Sequence, residues 1–304
     1  MSLSRRRFLT ITAAVALLPA GLRAQPGRHW VGQALGARAS IRIDHPEAEA
    51  ITARCLAEID RLENILSLYR PGSALARLNR DGALEAPPFE LLDCLSLAGT
   101  VHRASGGLFD PTVQPLWSLW AEAAVDGRRP APEERRAALA RIGWDRVRLD
   151  SSRIVLEPGM ALTLNGIGQG YVADRVAALL EAKGLTDILI DTGELRALGA
   201  RPDGTDWPVR LAEGGAVGLR ARALATSAPL GTSFDEAGRD GHILDPRSGA
   251  PVRPVWRAVS ISAPGAALAD ALSTAACLTG DRQEIDALLA GFGGARLEAA
   301  YRRA

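Results

Sequence analysis

The chain has 304 residues, 47 % hydrophobic and 23 % charged, with a formal net charge of +1. That composition excludes a disordered chain and a general nucleic-acid binder, and the length suits one large or two small domains with a substantial core. Three cysteines and four histidines are scattered, without zinc-like spacing.

Residues 1–26 read as a leader and not as fold. Ser4-Arg5-Arg6-Arg7-Phe8-Leu9 is a twin-arginine signal followed by an apolar run, Leu9 to Leu18, too short to span a bilayer. Ala24 offers a small residue for cleavage, and an uncleaved anchor is the competing reading. The expected address is periplasmic. Residues 27–304 are expected to form the folded part. Cys55, Cys94 and Cys277 lie in apolar helical surroundings and read as buried structural thiols.

In chain order, residues 38–43 read as a strand and 46–67 as an amphipathic helix with Ile51, Cys55, Leu56, Ile59, Leu62 and Leu66 on one face. Pro71-Gly72 breaks the chain, a helix covers 89–104, and an extended piece follows Gly106-Gly107. A charged helix starts at Pro130 to Pro132 and ends near Gly143. Strands are predicted at 146–149, 153–157 and 161–165, a helix at 168–183, then strands at 187–192, 195–199, 208–213 and 217–226. A loop spans 228–254, before a strand at 257–263 and helices at 266–279 and 282–291. Strands in runs with helices between the runs argue for α+β, with largely antiparallel sheets and packed helices.

The densest signal is 161–176. Gly166, Gly168 and Gly170 sit where a strand runs into a helix, a natural anion cradle. The spacing fits neither a dinucleotide fingerprint, since position 171 is Tyr171, nor a P-loop, since no Gly-Lys-Ser/Thr follows. A tight turn needing glycine for its backbone alone explains the same residues.

Asp270 and Thr274 lie four apart and so share a helix face, where a carboxylate and a hydroxyl can hold a hard cation. The bland alternative is a threonine bonded back to its own helix and an aspartate serving the first turn. His242, in Gly241-His242-Ile243-Leu244-Asp245-Pro246-Arg247-Ser248-Gly249, reads as a general base or as a satisfied histidine in a surface turn. Ser105-Gly106-Gly107-Leu108-Phe109-Asp110-Pro111-Thr112 reads as a glycine C-cap and turn. Tyr69 can stack on an aromatic ring or cover the core.

Taken in order, these blocks resemble the FAD:protein FMN transferases, also called ApbE-type flavin transferases. The matching blocks are Ser67 to Asn79, Ser-Gly-Gly-x-Phe-Asp-Pro-Thr, Asn-Gly-Ile-x-Gln-Gly-Tyr, His-Ile-x-Asp-Pro-Arg-x-Gly and Ala-Asp-Ala-x-x-Thr, spread from about residue 30 to 280. The resemblance implies an enzyme that uses FAD and Mg²⁺ to place FMN on a threonine or serine hydroxyl of an FMN-binding redox protein, releasing AMP. It implies metal ligation by the Gly166 carbonyl, Asp270 and Thr274, and flavin-nucleotide contacts at Tyr69, Leu108, Phe109, Asp110, Thr163, Gln169 and Ile243. His242 matches the family's proposed base. Many members carry an acidic residue at the position of Thr163 and lysine at that of Gln169, so this chain lacks one anion and one cation together. Two further readings of the same cleft are an FAD pyrophosphatase, with water as nucleophile, and a non-catalytic periplasmic flavin-binding or assembly protein.

Overall fold

The computed structural model describes residues 28–35, 37–43 and 46–303; the leader reading falls outside them. A hairpin of β1 (Arg28–Ala34) and β2 (Ala37–Ile43) precedes α1 (Ala48–Leu66), α2 (Ala74–Asp81), β3 (Ala83–Glu85) and α3 (Phe89–Ala104). Next come α4 (Gln114–Val125), α5 (Pro132–Leu139), β4 (Arg148–Leu149), β5 (Arg153–Val155) and α6 (Gly168–Glu181). Five short strands follow: β6 (Leu189–Asp191), β7 (Leu195–Ala197), β8 (Trp207–Arg210), β9 (Ala216–Leu219) and β10 (Ala223–Ser227). The chain closes with β11 (Leu244–Asp245), β12 (Ala250–Pro251), β13 (Trp256–Ala263), α7 (Ala266–Ala276), α8 (Arg282–Ala290) and β14 (Arg296–Arg302).

A seven-stranded sheet runs β1-β2-β6-β7-β10-β13-β14, antiparallel at every pairing. The α+β expectation holds. The main core joins this sheet to α1, α3, α6 and α7 through residues such as Leu62, Leu95, Val176, Val259 and Leu272, each almost or wholly inaccessible. Burying such side chains contributes about 1.5–3 kcal/mol apiece. Helix α7 is rich in alanine because it lies pressed between α6 and strands β10 and β13. Small side chains let three elements meet there. Cys55, Cys94 and Cys277 are all free and buried, as read from the sequence. Among the described residues no helix is long and apolar enough to cross a membrane.

Outside the 228–254 loop, five elements went unpredicted: β1, α2, β3, α4 and β14. Helix α2 is short but well marked, since Ser73 accepts the Ala76 N–H at 3.0 Å and Gly82 closes it in a left-handed conformation, φ 70°. The extended piece expected after Gly107 is instead a 3₁₀ turn, Pro111–Val113, leading into α4. The predicted strand 217–226 is two strands, broken where Ala221 turns at φ 48°. The loop 228–254 contains the small ribbon β11-β12.

The strand predicted at 161–165 does not pair with any sheet. Its backbone is held by a side chain instead. Asn79 accepts the Leu162 N–H at 2.7 Å and donates to the Leu162 carbonyl at 2.8 Å, so one amide stands in for a neighbouring strand. The Thr163 N–H donates to the Pro111 carbonyl at 2.8 Å. Buried backbone polar groups need such partners, and alternation of side chains cannot reveal which partner supplies them.

Candidate active site

Above the carboxyl end of β10, a cleft opens to solvent. Its walls come from the turn after α1, residues 108–117, residues 163–169, Glu194, residues 212–213 and the loop after β10. Helix α7 forms its floor. All eleven residues singled out from the sequence line it. Tyr69 stands half-exposed at one side; Leu108, Phe109 and Asp110 form part of another wall with Thr163; Gln169, His242 and Ile243 also border the space. Gly166, Asp270 and Thr274 meet at the floor.

The glycine stretch is only partly what an anion cradle requires. A Cβ at Gly166 would lie 3.1 Å from Thr274 Oγ1 and 3.2 Å from the Phe109 ring, so this glycine brings backbone up to the cleft floor. Gly168 instead faces Leu35 and Leu164. A Cβ at Gly170 would lie 2.3 Å from the Ala266 carbonyl oxygen, so Gly170 exists for the close crossing of α6 and α7. Two of the first-turn donors are engaged within the protein: the Gly168 N–H bonds to the Leu164 carbonyl and the Gly170 N–H to Asp270 Oδ2, at 3.3 Å. Three glycines approaching phosphate are therefore reduced to one, Gly166.

Neither bland reading of Asp270 and Thr274 fits. The start of α7 is capped from another helix, by Asp174 of α6, whose carboxylate accepts the Ala266 and Ala267 N–H groups at 2.8 and 2.9 Å. Asp270 is free of that task. The Asp270 carbonyl, where Thr274 would bond back, accepts the Ser273 hydroxyl at 3.0 Å. Thr274 Oγ1 lies 3.2 Å from Ser227 Oγ instead.

Burial pushes the Asp270 carboxyl up to about 7. Glu194, almost fully buried in the same wall, is also raised well above the carboxylate range, first by burial and then by the charges of Asp270 and Asp191. Among the described residues no three His, Cys, Asp or Glu side chains converge as a metal cluster. A cation here would rest on one carboxylate, a hydroxyl, a carbonyl and water. That all-oxygen donor set suits a small hard ion, which keeps waters and shares its shell with phosphates.

His242 lies in the loop after β10. Its Nδ1 faces the Thr232 carbonyl at 3.1 Å, and its own N–H donates to the same oxygen at 3.0 Å. A carbonyl only accepts, so Nδ1 carries the proton and Nε2 of the neutral ring is left as the base. Burial lowers the imidazole's pKa, with the Thr232 and Pro229 carbonyls acting in the opposite sense. Asp110 is more structural than its sequence motif implies: Oδ1 accepts from the Thr112 N–H and hydroxyl at 2.8 and 2.6 Å, capping the 3₁₀ turn. Its pKa is raised, chiefly by burial.

Sequence reasoning did not single out Glu194, Trp117 or Ser227. All three line the cleft. The polar Asp191-Thr192-Gly193-Glu194 turn between β6 and β7 was the available signal for Glu194. Trp117, packed edge-on to Phe234 at 5.7 Å, lies on the unpredicted α4 and had none.

The pattern that defines the ApbE family matches residues 35–294. The chain belongs to the ApbE family of flavin transferases. It is 28 % identical to an FAD:protein FMN transferase of Klebsiella pneumoniae over 259 residues, covering 79 % of this chain and 74 % of that protein. With the FAD:protein FMN transferase of Treponema pallidum the identity is 30 % over 263 residues, covering 77 % and 72 %. The crystal structure of the Pseudomonas stutzeri flavinyl transferase ApbE, in its apo form, superposes with a TM-score of 0.78 at 27 % identity, over 90 % of this chain and 94 % of that one.

Proposed function

We propose that this flavin transferase moves the FMN half of FAD onto a threonine or serine hydroxyl of a partner redox protein and releases AMP, with Mg²⁺ held by the Gly166 carbonyl, Asp270 and Thr274. The observation that carries the reading is one cleft with hard oxygen donors on its floor and a histidine, held neutral by burial, in its wall. Bound Mg²⁺ supplies Lewis-acid neutralisation of the pyrophosphate charge.

The chain's own residues do the rest. Tyr69 and Phe109 offer ring faces for the aromatic parts of FAD, and Thr163 and Gln169 offer neutral polar contacts. His242 Nε2 takes the proton of the acceptor hydroxyl as its oxygen bonds to the FMN phosphorus. The bond from that phosphorus to the bridging oxygen breaks, and AMP leaves with the electron pair. The twin-arginine leader supports an acceptor outside the cytoplasm, met by an enzyme exported already folded.

The test mixes purified protein, FAD, Mg²⁺ and a candidate FMN-binding acceptor, and follows covalent flavin by in-gel fluorescence and mass. Flavin bound to a hydroxyl residue, lost on chelation, is the expected result. Release of FMN and AMP without covalent flavin identifies an FAD pyrophosphatase. FAD binding with neither product identifies a non-catalytic flavin carrier.

A further inference from the structure

Beside the floor of the cleft, three hydroxyls and a carbonyl form a chain. Ser273 Oγ donates to the main-chain oxygen of Asp270 at 3.0 Å; Ser227 Oγ lies 2.7 Å from Ser273 Oγ and 3.2 Å from Thr274 Oγ1. A hydroxyl has one proton and a carbonyl has none, which fixes the direction of every bond. Ser273 commits its proton to the Asp270 carbonyl. The 2.7 Å contact then requires Ser227 as donor, and the 3.2 Å contact requires Thr274 as donor. Thr274 thus points its proton at Ser227.

We infer that Ser227 is the positioning residue of the cation site, because it accepts the Thr274 proton and leaves the lone pairs of that oxygen for the ion. The inference rests on the reading of Thr274 as a ligand. A hydroxyl can ligate only if its proton points elsewhere. A helical threonine ordinarily bonds back to the carbonyl three or four residues earlier, which would fix its oxygen against its own helix. Here the Asp270 carbonyl accepts the Ser273 hydroxyl, and the Thr274 hydroxyl turns to Ser227.

The relay has rigid ends. Ser227 closes β10, paired with Val259 of β13, and its carbonyl meets Cys277 Sγ at 3.5 Å. Ser273 is fully inaccessible within α7. Gly166, without a side chain, lies close to the same Thr274 oxygen. Such outer partners of a ligand typically govern 10–100-fold in affinity.

The probe is Mn²⁺, titrated into the full chain without FAD, with free Mn²⁺ followed by electron paramagnetic resonance. Ser227→Ala is expected to weaken Mn²⁺ binding by about 10–100-fold with an unchanged melting temperature, and Ser227→Thr, which keeps the acceptor, to restore it. Should Ser227→Ala fail to fold, Ser273→Ala is the second variant: it removes the acceptor of the Ser227 proton, which is then free to turn onto the Thr274 oxygen, and is expected to weaken Mn²⁺ in the same way. Wild-type affinity in a folded Ser227→Ala or Ser273→Ala protein, alongside loss of binding in Asp270→Asn, overturns the relay and leaves the cation site standing. Unchanged binding in Asp270→Asn, or none in the wild-type chain, overturns both.

Discussion

Gly170 donates its backbone N–H to Asp270 Oδ2 across 3.3 Å, tying the first turn of α6 to the buried carboxylate of α7. The tie exists only because α6 approaches α7 closely enough to leave no room for a side chain at Gly170. Gly170→Ala is expected to destabilise the fold by about 1–3 kcal/mol, the usual result of overpacking, and to lower transfer by displacing Asp270. Gly72, with nothing within 4 Å of an added Cβ, is the control. Urea unfolding of Gly72→Ala should match wild type or exceed it by up to about 1 kcal/mol. Equal stability for both variants would remove the packing argument.

What the sequence revealed and what it hid divide along the same line. Local chemistry was legible: His242, Asp270 and Thr274 stood out by residue type and spacing, and the cleft brings them together. The long periodic elements α1, α3 and α6 were legible for the same reason. Hidden were relationships between distant segments. Gly168 and Gly170 look identical to Gly166 in sequence, yet only the crossing of α6 and α7 separates a packing glycine from one at the site. The predicted strand at 161–165 failed because its partner is the side chain of Asn79, more than eighty positions earlier. Glu194 escaped notice because its significance comes from Asp270 across the fold.

Asn79 supports the wall that carries Thr163 and Gly166, through the two bonds to Leu162. Asn79→Ala leaves a buried N–H and a buried C=O without partners, at about 1–3 kcal/mol each. The expected outcome is a loss of about 2–6 kcal/mol in chemical denaturation, together with a raised KM for FAD. Asn79→Asp keeps the acceptor and loses the donor, so it should fall between the two. Wild-type stability in Asn79→Ala would show that the 161–165 segment holds itself.

Asp270 is predicted to make the metal-free protein less stable as pH rises. Its folded pKa, pushed up to about 7 by burial, lies above the ordinary carboxylate value of 3.8. The folded state therefore retains this proton longer than the unfolded chain. The stabilisation is complete below about pH 4 and is lost as pH rises through about 7. Asp270→Asn should flatten that decline. It should also abolish the protection given by Mg²⁺, which for the wild type at a hundredfold excess over Kd amounts to about 2.7 kcal/mol. Thermal melts at pH 5 and pH 8, with and without Mg²⁺, measure both effects. Mg²⁺ protection that survives in Asp270→Asn would exclude Asp270 as a ligand.

His242 gives the pH dependence of the reaction the opposite sign. Burial lowers its pKa below the ordinary histidine value of 6.5, so the ring stays neutral, with Nε2 able to take a proton, in solutions acidic enough to charge a free histidine. The acidic limb of kcat for transfer should therefore fall below pH 6.5. The same shift makes folding less favourable as pH drops below 6.5 toward the folded value, because the unfolded chain binds the proton first. His242→Ala should lower kcat by about 10²–10⁴-fold, the range for a positioned general base, while FAD affinity stays near wild type because the ring is held by loop carbonyls. Single-turnover transfer across pH 5–8, with FAD binding followed by fluorescence, separates the two quantities. A rate unchanged in His242→Ala, or an acidic limb above 6.5, would exclude His242 as the base.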